Sequence, residues 1–492
     1  MTGYRLDGGG VIERDRRISF EWDGKRMTGH PGDTLASALI ANGARIVARG
    51  FKYHRPRGVM SAGSEEGGAL VTVGRGAKRE PNAKASQVEL HQGLRAFGQN
   101  AWPSVRFDLG RVNDVMNRFF AAGFYYKTFF GVTGKGTWEW MQFEKVIRRA
   151  AGMGAASREA DPADYEITHA HCDLLVVGAG PAGLAAAAHG VAQGLDVMLV
   201  EQDFALGGTL LNGRETVEGM AGRDWVAGQV EALGEARVLT RTTAFGLYDT
   251  NVVAAYEKVT DHLADPDPSL PRGRVHVIRP GAVVLATGAI ERPVAFGDND
   301  RPGVMGAAAV ATYLGRFAVA PAKSLALATN NDSAYDTAAM AAEAGIRTTL
   351  LDCRPVPPEE RIATARAAGV ELMTGHVPIR AKGRNGVEGL VIGTRNQAGE
   401  VSPTQSIYRE AIGVSGGWSP AIHLLSHRGI RPVWDAEMAC FLPGPAPEGV
   451  AMTGAAAGVF GAESGVAHAR AMAEDAAARL KGRPAAQRTA PS

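Results

Sequence analysis

The stretch Cys172-Asp173-Leu174-Leu175-Val176-Val177-Gly178-Ala179-Gly180-Pro181-Ala182-Gly183 decides the fold. An Ala-rich segment follows it, and then Leu195 to Val200, which ends in Glu201, 18 residues beyond Gly183. The order predicts a strand, a glycine turn, a helix and a second strand. Gly178 lets the chain turn tightly out of the strand, Gly180 removes the side chain that would block a pyrophosphate, and Gly183 allows close helix-to-strand packing. A phosphate then rests on the positive helix N-terminus. Glu201, at the end of the second strand, stands where a carboxylate accepts hydrogen bonds from a ribose 2'-OH. With 63 glycines in the chain a lone GxGxxG would be weak, but here the strand, helix and placed acid coincide.

A chain of 492 residues has room for about three domains. The formal charge of +2 comes from 53 basic and 51 acidic residues, which offers no electrostatic basis for a nucleic-acid or membrane-surface partner. The three cysteines, Cys172, Cys353 and Cys440, show neither CxxC spacing nor a disulfide framework, so a reduced, cytoplasmic location is expected. The N-terminal residues carry Arg5, Asp7, Glu13 and Asp15 without an apolar h-region, which does not read as a secretory signal. Leu174 to Leu195 is apolar enough to imitate a membrane span, but it holds six glycine or proline residues, four of them in the dinucleotide turn. The Ala-, Pro- and Arg-rich residues after Lys481 read as a loose tail.

Upstream, Ile18 to Trp22 and Lys25 to Thr28 flank Asp23-Gly24, a hairpin signature. A helix follows, capped by Asp33 or Thr34, with Leu35, Leu39 and Ile40 on its apolar face and Gly43 closing it. This order predicts a β-grasp module laid out like plant-type ferredoxins, in which the loop after the helix supplies cluster cysteines. That loop here is Arg49-Gly50-Phe51-Lys52-Tyr53-His54-Arg55-Pro56-Arg57-Gly58, and no cysteine precedes position 172, so the expectation is a module with no iron-sulfur cluster. Arg49, Lys52, Arg55 and Arg57 form either an anion site or a solvated charge run. Trp102 to Phe143 holds twelve of the 33 aromatic residues, either packing the segment onto its neighbours or docking another subunit. Ala160 to Thr168 reads as an acidic linker.

Beyond the first unit, Gly281 to Gly288 is an apolar strand ending in Ala286-Thr287-Gly288, the second landmark of two-dinucleotide flavoprotein folds. A second βαβ copy spans Ser324 to Asp352. Its turn, Thr329-Asn330-Asn331-Asp332-Ser333, has lost the glycines, and side chains there hold a pyrophosphate away from the backbone, so no second dinucleotide is expected.

From about residue 15 to 475 the chain resembles the α subunit of heterotetrameric sarcosine oxidase. The resemblance rests on Arg49 to Gly58, Gly63 to Leu70, Gly123 to Phe130, Thr243 to Asp249 and, most specifically, Val414 to Leu424. It implies an oxidoreductase subunit whose partner β subunit carries FAD and oxidises the amine, with FMN at the interface and NAD in the α subunit. Small accessory subunits complete such a hetero-oligomer. Family α subunits continue into a folate-binding, aminomethyltransferase-like half, whereas this chain stops at Ser492. That half is therefore a separate chain, or the folate step is absent, or the chain is truncated.

The implied fold class is α/β: an N-terminal β-grasp module fused to a glutathione-reductase-type pair of dinucleotide-binding domains. The expected divisions are 1–100 for the β-grasp, 101–169 for an aromatic connector, 170–320 with 410–480 for the dinucleotide-binding domain, 321–409 for the degenerate domain, and 481–492 for the tail. Carried over by resemblance, Gly178, Gly180, Ala182 and Gly183 face the pyrophosphate, and Glu201, Gln202 and Asp203 the adenosine ribose. Thr209, Ala244, Thr287, Gly288, Ala455 and Gly461 line the rest. The acids at 201 and 203 disfavour NADP. FAD enzymes of this fold keep a late Gly-Asp, but the sequence here is Gly454-Ala455, which favours NAD and leaves FAD as the alternative. No catalytic acid, base or nucleophile and no metal site is assigned; His423 and His427 are read as packed or interface residues. The rival functions are a self-sufficient FAD-dependent pyridine-nucleotide oxidoreductase, or the related subunit of a proline or opine dehydrogenase or of hydrogen cyanide synthase.

Overall fold

A computed structural model describes residues 4–119, 137–151, 154–396 and 398–482. The Gly123 to Phe130 segment and nearly all of the C-terminal tail lie outside them. The chain divides into two units, Met1–Pro162 with Pro293–Gly416 and Ala163–Arg292 with Gly417–Ser492. Residues 293–320 thus cluster with the first unit rather than with the dinucleotide-binding domain to which the sequence assigned them.

In the first unit, strands Ile18–Trp22 and Lys25–Gly29 pair antiparallel about Asp23-Gly24. Both turn residues have positive φ, 47° and 76°, the left-handed pair that a tight hairpin needs. The sheet has five strands in the order 25–29, 18–22, 95–98, 70–73 and 80–84, with the 18–22 and 95–98 pair parallel. Helix Leu35–Ala41 packs on it, opened by a reciprocal cap between Thr34 and Ser37. Asp33, fully buried beside this cap, accepts from the Ser37 hydroxyl at 2.6 Å and from the Arg5 guanidinium at 2.6 Å.

The same unit holds a parallel sheet in the order 304–306, 411–415, 324–329, 347–352 and 371–374. One apolar core joins the two sheets' helices, with Phe20, Leu35, Leu39 and Val71 clustered with Tyr313, Phe317, Leu325 and Tyr335. These buried rings and branched aliphatics make the β-grasp and the second βαβ one packing unit.

The second unit is built on parallel strands 237–239, 197–200, 165–177, 273–285 and 450–452. Strands 253–258 and 242–247 extend the sheet antiparallel. Strand Tyr165–Val177 begins inside the expected linker, because residues 165–168 pair with 273–276. Helices Pro181–Ala192 and Ala462–Leu480 cover one face, and Leu174, Val176, Leu184, Val197, Leu199, Trp225, Val284 and Ala469 form its core. Among the described residues no helix is long and apolar enough to cross a membrane.

Candidate dinucleotide site

The site forms where strands 165–177, 197–200 and 273–285 end, all running in the same direction. In open α/β sheets the carboxyl ends of such strands frame the ligand crevice. Gly178 has φ +99°, and a Cβ there would stand 2.4 Å from the Ala286 carbonyl oxygen. A Cβ on Gly183 would stand 1.7 Å from the Gly178 carbonyl oxygen, so only glycine lets this helix sit so close to its strand. Gly180 differs. It is the N-cap of Pro181–Ala192, it makes no side-chain cap, and a Cβ there would meet nothing within 4 Å. Proline follows at the first helical position, where its missing N–H costs no intrahelical bond. An open approach to an uncapped helix start is a cradle for a phosphate.

Glu201 is held from two sides. One carboxylate oxygen accepts from the Ala179 N–H at 2.6 Å and the other from the Asp203 N–H at 2.8 Å. The acid therefore locks the glycine turn to the second strand. Gln202 is exposed, and the Asp203 carboxylate caps its own turn through the Ala205 N–H at 3.2 Å. Thr209 is exposed in the 3-10 turn Gly208–Asn212. That turn abuts the cradle, since a Cβ on Gly208 would stand 2.9 Å from the Gly180 Cα and the Gly207 N–H donates to the Ala179 carbonyl at 2.8 Å.

Ala244 lies half-buried on strand Thr242–Leu247, whose first residue donates its N–H to the Glu201 carbonyl at 2.8 Å. The Thr287 hydroxyl donates to the Ala421 carbonyl at 2.6 Å, and the Gly288 carbonyl accepts from the Ala421 N–H at 2.9 Å. Ala455 sits in the 3-10 turn Gly454–Ala457, and Gly461 is the N-cap of Ala462–Leu480. Gly454 carries this last segment to the cradle, because a Cβ there would stand 2.7 Å from the Ala182 Cβ.

Two participants escaped the sequence reading. Gly454 was noted only as the partner of the missing acid, although its φ of +60° and its approach to Ala182 make it the contact residue. Arg241, also at positive φ, donates its N–H to the Asp203 carbonyl at 2.9 Å and holds its guanidinium over the Phe204 ring at 5.9 Å. The residues expected to face the ribose, Glu201, Gln202 and Asp203, are two acids and an amide; the fold brings this cation beside them, for which no local motif exists.

Away from the turn, Thr168, His276 and Glu257 line up across three adjacent strands, with 2.9 Å from the Thr168 hydroxyl to His276 Nδ1 and 2.8 Å from Nε2 to Glu257. No local motif announces this hydroxyl, imidazole and carboxylate set, whose members lie on three separate strands. Arg274 also binds Glu257 at 3.0 Å, and hydrogen bonds from His276 hold that carboxyl below the usual range. His427 is exposed, with Nδ1 2.9 Å from the Leu247 carbonyl and its ring edge-on to Tyr248 at 5.1 Å. His423 is likewise exposed, at the start of a short helix. Burial pushes the Cys172 thiol up to about 12, which leaves it inert as a nucleophile. Among the described residues no cluster of three or more His, Cys, Asp or Glu could hold a metal ion.

The basic loop of the first unit resolves into ion pairs. Arg49 is buried and donates to the Val105 and His54 carbonyls, and His54 pairs with buried Asp108 at 2.8 Å. Lys52 lies over the Tyr53 ring, Arg55 reaches Asp298 at 2.6 Å, and Arg57 reaches Asp300 at 2.7 Å.

Comparison with known proteins agrees with this architecture. Residues 15–101 match the family described as 2Fe-2S iron-sulfur cluster binding domain. That match corrects the expectation of a chain without an iron-sulfur cluster, since the module belongs to a cluster-binding family. The residues themselves do not fit the group: the matched segment contains no cysteine to supply a thiolate, and Arg49 and His54 fill the loop.

"Sarcosine oxidase subunit alpha" of Rhizobium meliloti strain 1021 is 45% identical over 96% of this chain and 47% of its own length. The protein of the same name from Corynebacterium sp. strain U-96 is 33% identical over 92% of this chain and 42% of its own. The chain thus spans about half the length of the curated relatives it matches. The L-proline dehydrogenase structure from P. horikoshii superposes with a TM-score of 0.63 at 17% identity, covering 99% of this chain and 77% of that one, which is a likeness of fold. Residues 172–431 match the profile of a family with two dinucleotide-binding domains, and on that match, which runs over more than half of its length, the chain belongs to the pyridine nucleotide-disulphide oxidoreductase family.

Proposed function

We propose that this chain is the NAD-binding, α-type part of a multi-subunit flavin-dependent secondary-amine oxidase of the sarcosine oxidase kind. In this reading a partner β-type subunit carries FAD and oxidises sarcosine or a similar N-methyl amino acid to glycine, a formaldehyde equivalent and hydrogen peroxide. FMN lies at their interface, small accessory subunits complete the cytoplasmic assembly, and a folate-binding half resides elsewhere. The similarity along almost the whole chain to proteins named as subunits of one oxidase supports it.

The observation that carries the nucleotide assignment is the open space before Gly180, at a helix start without a side-chain cap. Gly178, Gly180, Ala182 and Gly183 would hold the pyrophosphate, Glu201, Gln202 and Asp203 the adenosine ribose, and Thr209, Ala244, Thr287, Gly288, Ala455 and Gly461 the remainder. Bound there, NAD would supply a hydride-accepting nicotinamide; the chain's own residues bind and orient it. Ala455 offers no carboxylate for a ribityl chain, which favours NAD over FAD. Membership of the pyridine nucleotide-disulphide oxidoreductase family supports the alternative, a FAD-dependent oxidoreductase active without a partner.

Purification of the chain alone and with a co-expressed β-type subunit, followed by a visible spectrum and identification of the nucleotide released on denaturation, separates the readings. NAD from a colourless chain, with amine oxidation only in the assembled complex, is expected. A yellow chain that oxidises NADH or NADPH by itself would overturn the proposal in favour of the alternative.

A further inference from the structure

In the first unit a cavity of about 250 Å³ is lined by four arginines, Arg55, Arg111, Arg301 and Arg384, against two carboxylates, Asp114 and Asp300. The carboxylates are already engaged: Asp300 lies 2.7 Å from Arg57 and 3.3 Å from Arg55, and Asp114 lies 3.7 Å from Arg55. Among the described residues Arg111 has only a neutral side-chain partner, the Asn385 amide oxygen at 3.1 Å. Arg301 donates one terminal nitrogen to the Gly383 carbonyl and turns another to Asp298 at 3.2 Å, while its Nε is buried with no hydrogen-bond partner. The Arg384 guanidinium has no hydrogen-bond or ion-pair partner among the described residues.

Like charges a few ångströms apart repel by about 1 kcal/mol in water and about 4 kcal/mol at an effective dielectric constant near 20. Four cations against two lining carboxylates leave part of that repulsion for a ligand to relieve. Planar guanidinium forks suit carboxylate and phosphate oxygens, which they bind in pairs. Ligand pockets for drug-sized molecules occupy about 300–1,000 Å³, so this smaller hollow suits a compact anion and excludes a dinucleotide.

We propose that this cavity binds a small multivalent anion, a phosphoryl compound or a polycarboxylate, with Arg111, Arg384 and the Arg301 Nε as donors and Arg55 as the fixed wall. The site belongs to a different unit from the dinucleotide turn and does not depend on that assignment.

The test is titration calorimetry of the full chain with inorganic pyrophosphate and, separately, with citrate, at constant ionic strength. A G180V background removes binding of pyrophosphate at the dinucleotide turn. Saturable binding of either anion is expected, weakened at least tenfold by Arg384→Ala and by Arg111→Ala and retained in G180V; whichever anion binds more tightly identifies the ligand class. Arg384 is exposed, so its removal leaves the core intact, and an unchanged thermal transition verifies this. Absence of saturable binding by both anions, or binding that neither arginine variant alters, would overturn the proposal.

Discussion

The molecule contains two βαβ units that share a register and differ in what stands at the turn. In the first, Gly180 opens onto empty space and Gly183, third in its helix, lets the helix press against the strand end. In the second, Asn331 occupies the turn. Its side-chain oxygen accepts from the Ser333 N–H at 3.0 Å and the Ser333 hydroxyl at 2.6 Å, and its amide nitrogen reaches the Ser415 hydroxyl at 3.1 Å. Tyr335, third in that helix, sends its hydroxyl to the buried Asp352 at 2.8 Å, which Arg354 also binds at 2.8 Å. One unit leaves its helix start without a side-chain cap and the other fills it with its own side chains. The difference teaches that the βαβ frame survives loss of the phosphate turn when polar side chains take over the exposed backbone groups.

The sharpest way to break this comparison is Gly183→Val. The added carbons have no room beside the Gly178 carbonyl, and the second unit of the chain should lose more than about 4 kcal/mol, seen as insoluble or thermally unfolded protein. A normally folded variant would show that the close approach is not required. The converse change, Tyr335→Ala, removes a fully buried ring and should cost about 3–5 kcal/mol by chemical denaturation, yet leave nucleotide content unchanged.

Gly180→Val distinguishes binding from folding. Its φ of −70° suits any residue and its surroundings are open, so the thermal transition should hold. Nucleotide affinity should fall at least tenfold, which corresponds to about 1.4 kcal/mol. Retained affinity in a folded protein would empty the proposed cradle. Asn331→Ala should do the reverse, lowering stability by about 1 kcal/mol through the lost helix-start bonds without altering nucleotide binding.

The smallest effect is a pH dependence at Glu218, in the unit with the glycine turn. Hydrogen bonds from Arg470 and from the Trp225 indole, the latter at 2.8 Å, push the Glu218 carboxyl down from 4.5 to about 2. A carboxyl depressed on folding contributes stability that is fully present above its unfolded value and is lost as pH falls from about 4.5 toward 2. Glu218→Gln should flatten that part of the stability profile, while Tyr335, whose phenol burial and Asp352 hold well above its usual range, gives the other unit no such dependence there. An unchanged acid limb in the Gln variant would remove Glu218 from the account.

Much of this was legible because dinucleotide-binding chemistry is written locally. Gly178, Gly180 and Gly183 are spaced by the turn they make, and Glu201 by the length of one helix and one strand. The hairpin at Asp23-Gly24 and the cap at Thr34 were equally local. What could not be read arose from strand register and long-range approach. Residues 165–168 looked like a linker because their pairing partners, 273–276, lie more than a hundred positions away. Arg241 came to Asp203, and Gly454 to Ala182, by the same route.

By itself, then, the sequence determined the two βαβ frames, the β-grasp order and the identity of the turn that keeps bare backbone for a phosphate, because steric limits on a few consecutive residues specify them. Only the tertiary structure decided where the arginines at 55, 111, 301 and 384 gather and that Arg55 meets Asp298 and Asp300 there. Coulomb interaction depends on distance through space, and residues separated by more than three hundred positions carry no signal of being neighbours until the chain has packed.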